Sequence, residues 1–317
     1  MISILTTTKT MWIDVLLIVV GVALVLLGAD KLTEGASALA RRMNVPEIII
    51  GLTIVAAGTS APELFVSLVS ALNDTPDMAV GNVVGSNTMN AMLIVGSAAM
   101  VAPMTISHST VKKDIPFSIA ASVLLIVLTY SGYLSRWGGL ILLLGFAAFM
   151  AYTLRQAKTG SSEAVKETSP VWKNIVCLLG GLAGLVVGSN MFVGSASAVA
   201  YALGISEGVV GLTIVAGGTS LPELATSVVA ARKGQSAIAI GNVIGSNVFN
   251  ILLILGLTAT ISPLEIEGIT TIDMAVMLVS VALVWLFSRT RYMVERWEGA
   301  VLVVGYMVYL WWLLTSL

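Results

Sequence analysis

Two short motifs place a carboxylate in the middle of an apolar stretch. The sequence reads GTSAPE at 58–63 and GTSLPE at 218–223, with long apolar runs around each motif. Proline has no N–H and its ring clashes with the carbonyl one turn earlier, so a helix breaks or kinks there. Each motif therefore brings the carboxylate of Glu63 or Glu223 together with hydroxyl and backbone oxygen atoms at a helix break.

Residues next to each break supply further oxygen atoms. Thr59 lies four residues before Glu63 and shares its helical face, and Ser60 lies beside it. The break is expected to free backbone carbonyls, among them those of Ala56 and Ala216. Within lipid, free backbone groups are tolerated only when they are buried in protein or line a wet cavity.

A second pair of motifs carries amides and hydroxyls at helical spacing. They read GNVVGSNTMN at 81–90 and GNVIGSNVFN at 241–250, and their glycines permit close helix approach. Asn87 and Asn247 fall on another helical face and are predicted to bond backbone groups. The polar stripes, with members four residues apart, consist of Asn82, Ser86 and Asn90 in the first motif and of Asn242, Ser246 and Asn250 in the second.

The candidate ligands indicate a hard cation. The sole histidine and cysteine, His108 and Cys177, lie far from the motifs, so Zn²⁺, copper and iron lack their preferred ligands. Ca²⁺ takes six to eight oxygen ligands in irregular geometry, whereas Mg²⁺ demands a near-ideal octahedron and is less favoured. Two carboxylates would neutralise one Ca²⁺ or a pair of Na⁺ ions. The alternative, a protonated structural glutamate, is disfavoured because two of them recur at equivalent helix breaks.

Composition identifies the environment of these motifs. The chain has 317 residues, of which 57% are hydrophobic and 10% charged, whereas soluble domains carry about a quarter charged residues. Several segments exceed the roughly 18 apolar residues of a membrane-spanning helix. The sequence therefore predicts a polytopic membrane protein. Its apolar start is interpreted as the first span rather than a cleaved signal peptide, because no cleavage site follows at a suitable distance.

The sequence is an internal duplication with a constant offset of 160 residues. The offset relates both motif pairs and also Trp12 to Trp172 and Pro103 to Pro263. It divides the chain into repeats at 1–157 and 158–317. Reading apolar spans between turn and charge signals gives five per half, near 11–41, 47–72, 77–100, 115–132, 137–155, 172–201, 207–231, 236–260, 271–288 and 297–316.

The distribution of basic residues predicts the orientation. Nearly all of them fall in connections 1–2, 3–4, 5–6, 7–8 and 9–10, for example Lys112, Lys113 and Arg232, which places those connections in the cytoplasm and both termini outside. An odd number of spans per half inverts the second repeat. The predicted fold is all-α, with ten transmembrane helices in two inverted five-helix repeats, an arrangement typical of secondary transporters.

The paired motifs resemble the two alpha-repeats of the cation/calcium exchanger superfamily, most closely those of prokaryotic sodium/calcium exchangers. The resemblance covers essentially the whole chain. It implies a Ca²⁺ site at Glu63, Glu223, Thr59 and Thr219. It also implies Na⁺ sites at Ser60, Ser220, Ser86 and Ser246 with the backbone of Ala56 and Ala216, and a centre completed by Asn90 and Asn250.

The resemblance implies antiport in which Na⁺ entry drives Ca²⁺ extrusion, with three Na⁺ exchanged per Ca²⁺. Some relatives carry Asp at the position of Asn250, and the amide here argues against K⁺ co-transport. H⁺/Ca²⁺ exchange is the alternative, and a channel is a further class. An enzyme is not expected, because the sequence contains no HExxH motif and no Ser/Lys or Ser/His pairing. The expected partners are Ca²⁺, Na⁺ and the bilayer, with no cofactor, nucleic acid or protein partner.

Overall fold

The fold is almost entirely helical, as the apolar spans predict. The structure, a computed structural model, describes residues 2–159, 170–204, 214 and 216–316. The helices are α1 Ile2–Met43, α2 Glu47–Thr59, α3 Ala61–Leu72, α4 Pro76–Val101, α5 Ile115–Leu128, α6 Arg136–Thr159, α7 Val171–Ala202, α8 Ala216–Thr219, α9 Leu221–Arg232, α10 Ser236–Ile261, α11 Thr271–Arg289 and α12 Arg296–Ser316.

Seven helices of the described part are long and apolar enough to cross a membrane, or eight if the bent pair α2 and α3 forms one span. Two of the ten predicted spans are missing from the count of eight. The span predicted at 115–132 is the helix α5, whose 14 residues directly follow the π-helical turn Thr110–Asp114. That turn carries Lys112, Lys113 and Asp114, so the continuous helix is charged at its start. The span predicted at 207–231 lies partly outside the described residues. The chain is thus a mostly helical, polytopic membrane protein, and the count of ten remains a prediction.

Burial separates central helices from peripheral ones. In α4 and α10, 78% and 94% of the most apolar window is buried in the protein, whereas in α1 and α12 the share is 17%. The peripheral helices expose large apolar side chains such as Trp12, Leu16 and Trp311. A water-soluble protein rarely exposes so continuous an apolar surface, so this outer surface fits a lipid environment. The motif-bearing helices α4 and α10 form the centre.

A helix break occurs at each GTSxPE motif. The axes of α2 and α3 differ by 46°, and Ser60 between them has φ −84° and ψ 7°. Ser220 takes nearly the same conformation, with φ −88° and ψ 7°, between α8 and α9. The expectation that the break frees the carbonyl of Ala56 is wrong, because the Ser60 N–H donates to it at 3.0 Å. Pro62 has no N–H, so it cannot donate to the carbonyl of Gly58 four residues earlier, as a residue in a regular helix would.

Four short strands connect the two halves of the chain at two places. Strand β1 (Met104–Thr105) pairs antiparallel with β4 (Met293–Val294), and β2 (Tyr133–Leu134) pairs with β3 (Leu264–Glu265). The offset of 160 relates β1 to β3 and β2 to β4. Each half therefore contributes one strand to each sheet, and the duplication in sequence is also a symmetry of the fold.

Glycines let α1 and α7 pack with their backbones in contact. A Cβ built on Gly28 would lie 2.7 Å from the carbonyl oxygen of Gly181, and one on Gly188 would lie 2.7 Å from that of Gly21. Gly21, Gly28 and Gly35 recur every seven residues, which keeps them on one side of the helix. Glycines stand at this crossing where larger side chains would otherwise interdigitate, so a methyl group added at these glycines would meet the facing backbone.

A basic side chain at the end of α9 joins it to α1. Lys233 Nζ lies 2.7 Å from Asp30 Oδ1 and donates to the Asp30 carbonyl at 2.9 Å and to Thr33 Oγ1 at 3.1 Å. Within α1, Lys31 pairs with Glu34 at 2.7 Å. The carboxylate of Asp30 therefore makes a contact between two helices.

The α1–α7 crossing yields a test with an adjacent control. In Gly181→Ala the added Cβ meets the backbone N of Leu32 at 2.5 Å, so we expect a loss of about 1–3 kcal/mol from overpacking. In Gly180→Ala nothing lies within 4 Å of the added Cβ, and alanine should stabilise the helix by up to about 1 kcal/mol. Thermal unfolding in detergent, followed by tryptophan fluorescence, measures both. Equal midpoints would contradict the close crossing.

Candidate cation-binding site

The two motif glutamates are fully buried and are held by serines from the opposite repeat. Glu63 and Glu223 are both 0% exposed. Ser220 donates to Glu63 Oε1 at 3.2 Å, and Ser60 donates to Glu223 Oε1 at 3.1 Å. The helix breaks make these contacts between the repeats possible, because each serine and the glutamate three residues later lie at the start of a new helix. The predicted convergence of the two motifs is present in the structure.

Hydroxyl groups extend this centre. Ser220 lies 3.1 Å from Ser86, oxygen to oxygen. The side chain of Thr59 donates to Asn242 Oδ1 at 3.0 Å and also lies close to Glu223, as does Ser246. These residues belong to both repeats, so neither half alone builds the site.

Asn82 and Asn242 hold the glutamate helices in place. Asn82 donates to the backbone carbonyl of Glu63 at 3.1 Å and to Ser67 Oγ at 2.9 Å. Asn242 makes the equivalent contacts, to the carbonyl of Glu223 at 3.3 Å and to Ser227 Oγ at 3.0 Å. The two amide groups thus fix α3 against α4 and α9 against α10. They are members of the predicted polar stripes, but in the structure they bond backbone.

Ser67 and Ser227 are functional neighbours that the sequence analysis missed. Each hydroxyl accepts from an asparagine and donates to a backbone carbonyl, of Ala79 at 3.3 Å and of Ala239 at 3.4 Å. A signal was available, because each serine follows its glutamate by four residues and therefore shares its helical face.

Four asparagines connect α4 and α10 across the centre. Asn87 Nδ2 donates to the carbonyl of Asn247 at 3.1 Å, a backbone group within α10 and not one freed at a helix break. Asn90 Nδ2 donates to Asn247 Oδ1 at 3.1 Å, and Asn250 Nδ2 donates to Asn87 Oδ1 at 3.0 Å. Asn90 and Asn250 both lie in π-helical turns, Asn90–Ile94 and Phe249–Leu255, and such turns are frequent at functional sites.

Several oxygen atoms of this centre are buried without a hydrogen-bond partner in the described part of the chain. They are Glu63 Oε2, Glu223 Oε2, Asn90 Oδ1, Asn250 Oδ1 and Ser246 Oγ. A buried polar group without a partner costs about 1–3 kcal/mol, and more when it is charged. Four of the five atoms can only accept hydrogen bonds. A bound cation would therefore satisfy them, whereas a second acceptor group would not. Their oxygen chemistry suits Ca²⁺ or Na⁺.

The charge of the centre comes from two carboxylates alone. Among the described residues, no group of three or more His, Cys, Asp or Glu side chains could hold a metal ion. Glu63 and Glu223 are close enough for their charges to interact. Thr219 ends α8 and Ala216 begins it, and the structure describes no side-chain surroundings for Ala216. The remaining ligands are uncharged.

A multi-span helical fold with a buried carboxylate pair among neutral oxygen atoms is typical of membrane transporters. The sequence model of the family described as "Sodium/calcium exchanger protein" matches residues 13–155 and again residues 173–315. The chain belongs to this sodium/calcium exchanger family, as the resemblance of its motifs predicted, and its role is transport.

Similar proteins cover nearly the whole chain. The inner membrane protein YrbG of Escherichia coli is 38% identical over 93% of this chain and 94% of its own length. The sodium/calcium exchanger MaX1 of Methanosarcina acetivorans is 32% identical over 94% and 97%. The solved structure of the sodium-calcium exchanger NCX_Mj, with Na⁺ and Sr²⁺, superposes with a TM-score of 0.83 at 33% identity, covering 93% of this chain and 96% of that one.

The asparagine network gives a stability prediction with a neighbouring control. Asn87→Leu leaves Asn250 Nδ2 without the partner it has in the structure, at about 1–3 kcal/mol, and also removes a hydrogen bond to the Asn247 carbonyl. Thr88→Val removes only a bond to the Val84 carbonyl of its own helix, which is 2.9 Å long, at about 0.5–1.5 kcal/mol. We expect Asn87→Leu to lower the unfolding midpoint clearly more than Thr88→Val, both measured in detergent. The reverse order would show that the amide contacts do not join the helices.

Proposed function

We propose that the protein is a sodium/calcium antiporter in which a Na⁺ gradient drives Ca²⁺ transport by alternating access at a central site. The observation that carries the proposal is the buried pair Glu63 and Glu223, each with one oxygen bonded across the repeats and one without a partner. Ca²⁺ brings the charge that neutralises both carboxylates and tolerates the irregular oxygen set around them. In this proposal Thr59 and Thr219 complete the Ca²⁺ site.

The Na⁺ sites in this proposal use the serines that now bond the carboxylates. A hydroxyl group that donates to a carboxylate still has lone pairs, so it binds a cation without losing its contact. The Ala56 carbonyl accepts from Ser60 and keeps a second lone pair. The proposed Na⁺ ligands are Ser60, Ser220, Ser86 and Ser246, with the backbone of Ala56 and Ala216 and the side-chain oxygens of Asn90 and Asn250.

Sharing of the carboxylates couples the two ions. Glu63 and Glu223 are the only charged ligands proposed, so Ca²⁺ and Na⁺ compete for the same negative charge. One ion leaves the site as the other binds. A conformational change with no ion bound is costly, because the charged carboxylates are then buried without a partner. This competition is sufficient to couple the two ions, so no separate gate for each ion is needed.

We further propose ten spans in two inverted repeats, at 1–157 and 158–317, with both termini outside. Contacts between connections support this orientation. On one side, β1 and β4 join connections 3–4 and 9–10, both predicted to be cytoplasmic. On the other, β2 and β3 join connections 4–5 and 8–9, and the Glu267 N–H donates to Asp77 Oδ1 at 2.9 Å across connections 8–9 and 2–3. The two matches of the family model, 160 residues apart, fit the same division.

Ion exchange is tested by ⁴⁵Ca²⁺ uptake into proteoliposomes loaded with Na⁺, K⁺ or protons. We expect uptake only against internal Na⁺, and loss of at least about 100-fold in Glu63→Gln and in Glu223→Gln, because each removes half of the charge that binds Ca²⁺. Glu265→Gln, at an exposed position in β3, should transport normally. Uptake that follows the proton gradient instead would favour H⁺/Ca²⁺ exchange, and activity in both glutamine variants would reject the site.

The orientation is tested with single cysteines in a Cys177→Ser background. Thr315 and Lys113 are both exposed and lie on opposite sides of the membrane in the proposal. A membrane-impermeant maleimide should label Thr315→Cys in intact cells and Lys113→Cys only after permeabilisation. Labelling of both from outside would contradict the proposed alternation of spans.

A further inference from the structure

A cavity with several polar lining residues lies away from the two glutamates. It has a volume of about 400 Å³ and is lined by the start of α2, including Pro46 and Glu47, by the connection between α4 and α5, by Gln156 of α6, and by Ala237 and Ile240 of α10. All of these segments lie at the side that the proposed orientation assigns to the cytoplasm. None of the twelve proposed central ligands lines the cavity.

Asp114 is one of two acidic groups at the wall of this cavity; the other, Glu47, pairs with Arg41 at 3.8 Å. Its side chain is 2% exposed, and its Oδ1 has no hydrogen-bond partner among the described residues. Thr110 and Gln156 lie next to its carboxyl group. The neighbouring Lys113 attracts the carboxylate electrostatically, but its own side chain is exposed and therefore hydrated. Asp114 is thus a buried carboxylate in the wall of the cavity, with one oxygen that has no hydrogen-bond partner in the described part of the chain.

The rest of the lining is rich in oxygen. Ser109 donates to Gln156 Oε1 at 3.2 Å, and Ser107 and Thr110 lie 2.9 Å apart, oxygen to oxygen. The π-helical turn Thr110–Asp114 directly precedes α5, so Thr110 and Asp114 lie one turn apart at the start of that helix. Hydroxyl, amide and carboxylate oxygens in one cavity are the ligand set that hard cations prefer.

The Asp114 carboxylate is not repeated in the second half. The residues at an offset of 160 from Asp114 and Gln156 are Met274 and Ser316, so the duplication does not account for this carboxylate.

We propose that Asp114, with Thr110 and Ser107, forms a second binding site for a single hard metal cation, Ca²⁺ or Na⁺. A bound cation neutralises the carboxylate and satisfies its Oδ1, and a cavity of this size also holds water to complete the coordination. Because the first turns of α2 and α10 also line the cavity, occupancy ties the connection before α5 to the two helices that carry the central motifs. The site is a modulating one, outside the transport path.

The test separates this site from the central one. Purified Glu63→Gln/Glu223→Gln protein lacks both central carboxylates, and equilibrium binding of ⁴⁵Ca²⁺ and of ²²Na⁺ is measured on it separately. We expect about one bound ion per chain for one of the two isotopes, which identifies the ion. Adding Asp114→Asn should remove that binding, whereas adding Asp74→Asn, at an exposed acid, should leave it unchanged.

Two results would overturn the proposal: the double variant binds neither isotope, or the binding persists when Asp114→Asn is added. If Asp114→Asn does not elute as a single species on size exclusion, Thr110→Val in the double variant replaces it. That change should weaken the affinity at least about fivefold, and an unchanged affinity would also reject the site. Failure of Na⁺-dependent transport in the wild-type protein is a separate result, because the binding measurement does not use transport.

Discussion

Two carboxyl groups share one buried centre, and the rest of the structure depends on how the cost of burying them is met. An ionised carboxylate without a partner in the interior costs several kcal/mol, and a second one nearby adds repulsion. The two serine contacts are neutral hydrogen bonds, worth about 1 kcal/mol each, so they cannot balance the cost. A cation can. Because each serine comes from the repeat opposite its glutamate, a shift between the halves changes the surroundings of both carboxylates together.

The helices that carry this centre are also the most buried ones, which explains their many amides. A polar side chain in α4 or α10 has no access to solvent, so it must find a protein partner. Asn82 and Asn242 bond backbone carbonyls in the glutamate helices, and Asn87 and Asn247 bond each other's helices. These contacts set the separation of the four helices. Among the oxygens that remain unpaired in the described part of the chain are five of the proposed ion site.

Local sequence was sufficient for the parts of the fold that depend on local physics. Proline at Pro62 and Pro222 predicted the breaks, apolar length predicted the helices, and the repeated motifs predicted which side chains converge. The sequence could not give the partner of a particular amide, since that depends on how α3 and α4 cross. For the same reason it missed Ser67 and Ser227 and the four short strands, whose pairing depends on contacts between residues more than 120 positions apart.

The contact of Lys233 with Asp30 has a consequence for the energetics of exchange. At the positions related by the duplication the chain has Asn73 and Asn190, neither of which is charged. In a protein whose halves exchange conformations, a bond present on only one side stabilises one end state over the other. A partly exposed ion pair contributes up to about 1 kcal/mol, which is about a fivefold difference in population. The two directions of opening would then be unequal at rest, before any ion gradient is applied.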